Sequence, residues 1–195
     1  MKTIGICGKI GSGKSAVGVL LAERGIPVFD LDREMHLLYA TSEVLRAKIA
    51  ERFGAECVGE GTVDRAALAK CVFREPRSLS DLENIVYPLL RSTVESKLFE
   101  ARRAASEVAA VEGALLFKWP EFSRSLDEIW VVEAPENLRL ERLEKRGLSR
   151  EDALLRMRVQ ENDPLPPNDH CEHIDNSGPM NALKKRMDEL LSPKF

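Results

Sequence analysis

The sequence predicts an α/β fold: a parallel sheet that carries a long helical insertion. Three features point to it. Residues 3–30 read as strand, glycine-rich loop, helix and strand, a βαβ unit that favours parallel pairing. The stretch 33–105 places apolar residues at helical spacing and contains no convincing strand. Strand signals then return at Val108–Val111 and Ile129–Glu133.

Each element has its own warrant. The run Thr3-Ile-Gly-Ile-Cys7 ends in glycines at 8, 11 and 13, as a buried strand breaking into a tight loop would. From Ser15, the positions Val17, Val19, Leu20 and Leu21 are helical, and Gly25 with Pro27 stops the helix. Pro27–Asp30 is the second strand. In the insertion, Leu37, Leu38, Val44, Leu45 and Ile49, then Leu82, Val86, Leu89, Leu90, Val94 and Leu98, recur with helical period; Gly54 to Gly61 mark turns. Two helices are expected over Glu136–Arg146 and Ser149–Glu161, divided by Gly147. A proline-rich loop follows at Asp163–Asn168, Ile174 anchors a last short strand, and Ser177-Gly178-Pro179 opens a terminal helix. Trp119 and Trp130 read as packing residues.

Composition narrows the function. With 195 residues and 44% apolar content, the chain buries enough surface to fold without disulfide or metal staples. The 29 Lys+Arg against 32 Asp+Glu give a net charge of −3, which argues against a protein that coats nucleic acid. Four cysteines, at 7, 57, 71 and 171, share no short spacing, so a secreted disulfide scaffold is not expected. His170, Cys171 and His173 lack the second ligand pair that a structural zinc site needs. The opening residues do not read as a signal peptide, and no apolar run approaches a membrane span. A soluble, cytoplasmic protein without nucleic-acid or membrane partners is expected.

The chemistry concentrates in Gly8-Lys9-Ile10-Gly11-Ser12-Gly13-Lys14-Ser15, which satisfies G-x-x-x-x-G-K-[ST] between a strand and a helix. The glycines let the backbone curl so that N–H groups face phosphate oxygens, and the following helix adds its positive end. Lys14 would reach the β- and γ-phosphates, and the Ser15 hydroxyl would ligate Mg²⁺. Asp30 and Asp32 stand at the C-terminal end of the second strand, the edge where open α/β sheets bind ligands. One of them can accept the proton of an attacking hydroxyl; alternatively, both cap a helix beginning near Arg33. Glu112 closes the strand 108–111, either as a group holding a metal-bound water or as an ordinary strand end. Between Arg139 and Arg158, seven basic residues face four acidic ones. Arg142 and Arg146 are four apart on one helix face, as in a phosphate clamp, while Glu141 and Lys145 read as a solvated pair.

The order of these motifs resembles dephospho-CoA kinase. The resemblance rests on Gly8–Ser15, Gly25-Ile-Pro-Val, Asp30-Leu-Asp32 with Arg33 and His36, and Phe53-Gly54. It continues through Gly61-Thr-Val-Asp64-Arg65 with Leu68, Val72 and Phe73, then Leu82, Asn84 and Pro88, and Leu115-Leu116-Phe117. Arg142 with Arg146, Ser149, Gln160 and Ile174-Asp-Asn176-Ser-Gly178 complete it. The resemblance implies a three-layer P-loop NTPase fold with a five-stranded parallel sheet, a helical substrate subdomain at 33–105 and a helical lid at 139–161. The core would then be 1–32, 106–138 and 162–195. It also implies ATP-dependent phosphorylation of the ribose 3′-hydroxyl of dephospho-CoA, with Mg²⁺, as the last step of coenzyme A synthesis, by a monomer or weak homo-oligomer. Catalysis would fall to Asp32 as base, Lys14 and Arg142. ATP would meet Gly8, Lys9, Ile10, Gly11, Ser12, Gly13, Lys14, Ser15, Ala16, Arg142, Asn176 and Gly178. The acceptor would meet Asp32, His36, Arg65, Tyr87 and Leu115, and the metal Ser15 and, through water, Glu112.

Several positions depart from that family's pattern. Lys9 stands for a glycine, Ala16 for a threonine, Tyr87 for a histidine, and Ala114-Leu-Leu-Phe-Lys118 for Pro-Leu-Leu-Phe-Glu. Pro166 and His170-Cys171 also differ. A small-molecule kinase with a changed acceptor is the neighbouring reading. A GTPase switch would need Asn-Lys-x-Asp, a tetrapeptide this chain lacks.

Overall fold

The computed structural model describes residues 1–72, 77–164, 166 and 169–192. Phe73 of the middle motif, and Pro167 and Asn168 of the proline-rich loop, lie outside the described residues. In chain order the elements are β1 (Lys2–Cys7), α1 (Lys14–Ala22), β2 (Val28–Asp30), α2 (Leu31–Thr41), α3 (Glu43–Phe53), β3 (Val58–Gly59), β4 (Thr62–Val63) and α4 (Arg65–Val72). There follow α5 (Ser78–Arg103), β5 (Val108–Glu112), α6 (Pro120–Arg124), β6 (Glu128–Glu133), α7 (Glu136–Lys145), α8 (Arg150–Val159), β7 (Cys171–Asp175) and α9 (Met180–Leu191). Two compact units result: Met1–Asp30 together with the chain from Ala101 onward, and Leu31–Glu100.

The first unit is built on a five-stranded sheet, ordered β2-β5-β1-β6-β7, with every neighbouring pair parallel. This is the α/β architecture read from the sequence. β1 and β6 are each buried over five consecutive residues, because helices cover both faces of a parallel sheet. That is why they read as unbroken apolar runs. In β7, at the edge, only Ile174 is buried, so its sequence signal is weak.

One face of the sheet packs Ile4, Ile6, Trp130, Val132 and Ile174 against Val17, Leu20 and Leu21 of α1 and Leu183, Met187 and Leu190 of α9. On the other face, a Cβ at Gly5 would sit 2.5 Å from the Ile129 Cδ1 and 2.8 Å from the Leu126 Cδ1, so the glycine leaves room for these two side-chain ends. Trp130 is fully buried, and Trp119 stacks on Phe122 with ring centroids 4.5 Å apart, so both tryptophans pack.

The second unit is helical around Tyr39, Leu45, Ile49, Phe53, Val63, Leu68, Val72 and Val86. It corrects the expectation of no strand there: β3 and β4 form an antiparallel hairpin pairing Val58 with Val63. Two-residue strands are too short to show alternation, and the Gly59 to Gly61 turn was their only trace in the sequence. Ser42 caps α3 by accepting from the Leu45 N–H at 3.2 Å. The buried Glu34 carboxylate is neutralised by Lys97 at 2.6 Å, which ties α2 to α5. The Cys57 and Cys71 sulfurs lie 3.4 Å apart as free thiols.

Cys7, the last residue of β1, is fully buried. Burial first, then the nearby Cys171, pushes its thiol from 9.0 up to about 12, against the opposing pull of Lys14. The folded chain therefore keeps this proton to higher pH than the unfolded chain does. The associated stability is complete below the unfolded value and is lost as pH rises toward the folded one. Urea unfolding between pH 8 and 10.5 should show stability falling with pH, and Cys7→Ala should flatten that slope. An identical slope in both proteins would refute the assignment.

Candidate active site at the phosphate loop

The loop between β1 and α1 is held by its carbonyls. Lys14 Nζ reaches back to the Gly8 oxygen at 2.9 Å, and the Ser12 N–H donates to the Lys9 oxygen at 3.1 Å. Arg139 Nε donates to the Ile10 oxygen at 2.9 Å. Arg142 donates from one nitrogen to the Gly11 and Ser12 oxygens at 3.3 and 3.0 Å, and from the other to the Asn176 oxygen at 2.7 Å. The Asn176 Nδ2 donates to the Ser12 oxygen at 2.7 Å. Arg142 and Asn176, which the sequence assigns to the nucleotide, thus meet the loop directly.

Glycine is needed where these contacts crowd the chain. Gly13 is left-handed, at φ 103°, and a Cβ there would collide with the Asn176 side-chain nitrogen. Gly11, at φ 80°, faces the Arg139 backbone, with the carbonyl oxygen 2.7 Å from where a Cβ would be.

Beyond the loop, Ser15 Oγ donates to Glu112 Oε1 at 2.8 Å. Glu112 is buried, and a side chain on Gly18 would collide with its other oxygen, so α1 carries a glycine there. The register explains the meeting. Glu112 pairs with Ile6 on one side and Asp30 on the other, so the carboxyl ends of β1, β2 and β5 coincide. The two residues named for the metal therefore stand together. A hydroxyl and a carboxylate are oxygen donors, the set a hard divalent cation such as Mg²⁺ prefers.

A cavity of about 220 Å³ opens beside the loop, lined by Gly8, Ser12, Phe117, Val132 and Arg139 among others. The Ser12 hydroxyl is buried and has no hydrogen-bond partner among the described residues. Arg139 lines this cavity too, and desolvation draws its pKa down.

Other site residues fall elsewhere. Leu115 lies in a short 3₁₀ turn, Ala114–Phe117, after β5. In the helical unit, α2 begins at Leu31, two residues earlier than expected. Asp30 therefore ends β2, and Asp32 sits in the helix's first turn, where a carboxylate meets the positive helix end. Asp32 and His36 are both exposed and one turn apart, so they share a face of α2. Arg65 opens α4, close enough to Tyr39 to draw its phenol pKa down against the rise that burial causes. Tyr87 donates to Glu83 at 3.1 Å; burial, then that carboxylate, raises its pKa.

Sequence reasoning missed Arg139 and favoured Arg146 as the partner of Arg142. α7 ends at Lys145, so Arg146 is its exposed capping residue, while Arg139, one turn before Arg142, reaches the loop. The i,i+3 spacing of 139 and 142 carried that signal.

Comparison with known proteins then decides the family. A family model described as dephospho-CoA kinase matches residues 2–178. The chain belongs to the dephospho-CoA kinase family. A dephospho-CoA kinase of Deinococcus radiodurans is 38% identical over 97% of this chain and 91% of that protein. One of Latilactobacillus sakei is 34% identical over 96% and 93% respectively. A crystal structure from Thermus thermophilus is 33% identical, covers 97% of this chain and 96% of its own, and superposes with a TM-score of 0.73. A shikimate kinase of Acinetobacter baumannii, at 17% identity and a TM-score of 0.56, shares the fold. The chain is thus a P-loop kinase of the dephospho-CoA kinase family, whose reaction phosphorylates dephospho-CoA with ATP in the final step of coenzyme A synthesis.

Gly13→Ala should leave the circular dichroism spectrum native while raising the KM for ATP at least tenfold, because a left-handed alanine costs on the order of 1–3 kcal/mol and strikes Asn176. An unchanged KM would show that the loop tolerates a Cβ.

Proposed function

We propose that this chain transfers the γ-phosphoryl group of ATP to the ribose 3′-hydroxyl of dephospho-CoA, giving coenzyme A and ADP. The observation that carries it is the pairing of Ser15 with Glu112 beneath a loop whose carbonyls are held by Lys14, Arg139, Arg142 and Asn176. In a trans peptide the C=O and N–H point opposite ways. Holding the Ile10 and Ser12 carbonyls toward α7 and Asn176 therefore turns the Gly11 and Gly13 N–H groups the other way, as donors for phosphate oxygens.

The residues present fit Mg²⁺: Ser15 would ligate it, with Glu112 holding one of its waters, and the ion would neutralise charge on the β- and γ-phosphates. Lys14 leaves the Gly8 carbonyl to steady the leaving oxygens. Asp32, two residues past β2, accepts the hydroxyl proton as that oxygen attacks phosphorus and the bond to ADP breaks. Arg142, bound to both the loop and Asn176, lies beside the nucleotide with Gly178, and Lys9, Ile10 and Ala16 complete its binding. His36, Arg65, Tyr87 and Leu115 contact the acceptor. In this reading residues 33–105 form the acceptor-binding subdomain and 139–161 the lid that excludes water. No described helix is long and apolar enough to cross a membrane, and the enzyme works in the cytoplasm as a monomer or weak homo-oligomer.

Coupled ADP release with Mg-ATP and dephospho-CoA tests the proposal directly. Asp32→Asn should lower kcat by two or more orders of magnitude, with the Kd for ATP within about threefold of wild type. Near wild-type turnover in that variant removes Asp32 as the base. Silence with dephospho-CoA alongside activity on another small alcohol replaces the acceptor.

A further inference from the structure

The α7–α8 segment holds one residue of the phosphate loop, Ile10, through all three of its chemical parts. Its side chain packs into the apolar cluster of Leu140, Leu143, Ala153 and Met157. Its carbonyl accepts from Arg139 on α7 at 2.9 Å. Its N–H donates to the Oε1 of Gln160, the residue that caps α8, at 2.7 Å. A second bond lies beside the third: Lys9 Nζ donates to the Glu161 carbonyl at 3.1 Å. The Ser149 hydroxyl accepts from the Asp152 N–H at 3.1 Å and so fixes where α8 starts.

From this geometry we infer that Gln160 is a positioning residue: it latches the end of α8 to the Ile10 amide and so sets the conformation of the phosphate loop for ATP. The inference rests on the phosphoryl-transfer reading of the loop. Ile10 stands immediately before Gly11, and fixing both of its peptide groups removes freedom from the glycines that follow. Of the two Ile10 backbone groups, only the N–H depends on a side chain beyond α7. Gln160 is therefore the member of the grip that can be removed without disturbing Arg139 or Arg142. With the latch open, the loop samples more conformations, and ATP has to select the competent one.

Hydrogen exchange and nucleotide titration read the latch. Gln160→Met keeps the length of the side chain and removes the acceptor, whereas Gln160→Glu keeps an acceptor oxygen. In Gln160→Met the Ile10 amide should exchange at least tenfold faster, and both the Kd and the KM for Mg-ATP should rise roughly 3- to 10-fold, what one net hydrogen bond is worth. kcat at saturating ATP should stay within about twofold. Gln160→Glu should restore slow exchange and most of the affinity. Unchanged Ile10 exchange and ATP affinity in a folded Gln160→Met protein overturn the inference. So does an equal loss in the Met and Glu variants. Exchange and Kd need no acceptor, so failure of the dephospho-CoA assay with wild-type protein would count against the acceptor alone.

Discussion

Everything at this site depends on where six consecutive carbonyl groups point. A loop that presents N–H donors to an anion must dispose of its oxygens, because a buried carbonyl without a partner is as costly as a buried donor. Here the oxygens of residues 8 to 12 are taken by Lys14, Ser12, Arg139, Arg142 and Asn176, and that of Gly13 by the first turn of α1. The cations on α7 consequently serve the protein before any substrate arrives. Glycine at 11 and 13 follows from the same demand, since the partners approach too closely for any Cβ.

Charge is handled in the same economical manner. Glu112 is a buried carboxylate on a central strand, a costly group unless it is hydrogen-bonded. It is satisfied in part by Ser15, and Gly18 clears space for its second oxygen. A glycine inside a helix weakens the helix by roughly 1 kcal/mol relative to alanine, and α1 accepts that loss for a close approach to the strand. The near-neutral net charge of the chain conceals this arrangement, in which Arg139 and Arg142 of α7 both donate to the phosphate loop.

Much of this was legible in the sequence, and what was not has physical causes. The strands covered on both faces announced themselves as apolar runs, and β7, with one buried residue, did so only through Ile174. The β3–β4 hairpin escaped because two residues cannot display a period. The phosphate loop was legible residue by residue, since its chemistry is local. The grip on Ile10 was not: its partners lie 129 and 150 positions away, and no periodicity links Gln160 to a loop at the other end of the chain. The choice between Arg139 and Arg146 turned on where α7 stops, the least legible property of any helix.

The central position of β1 has a consequence for how the protein is made. The strand leaves the ribosome before its neighbours in the sheet, β5 and β6, which begin at residues 108 and 128. Until those strands are made, the apolar run Ile4–Cys7 and the phosphate loop have no sheet to join. Residues 31–100, whose core is closed within their own span, can settle during that interval. Synthesis thus assembles the most local part of the molecule first, and the nucleotide site, the part with the longest sequence separations, last.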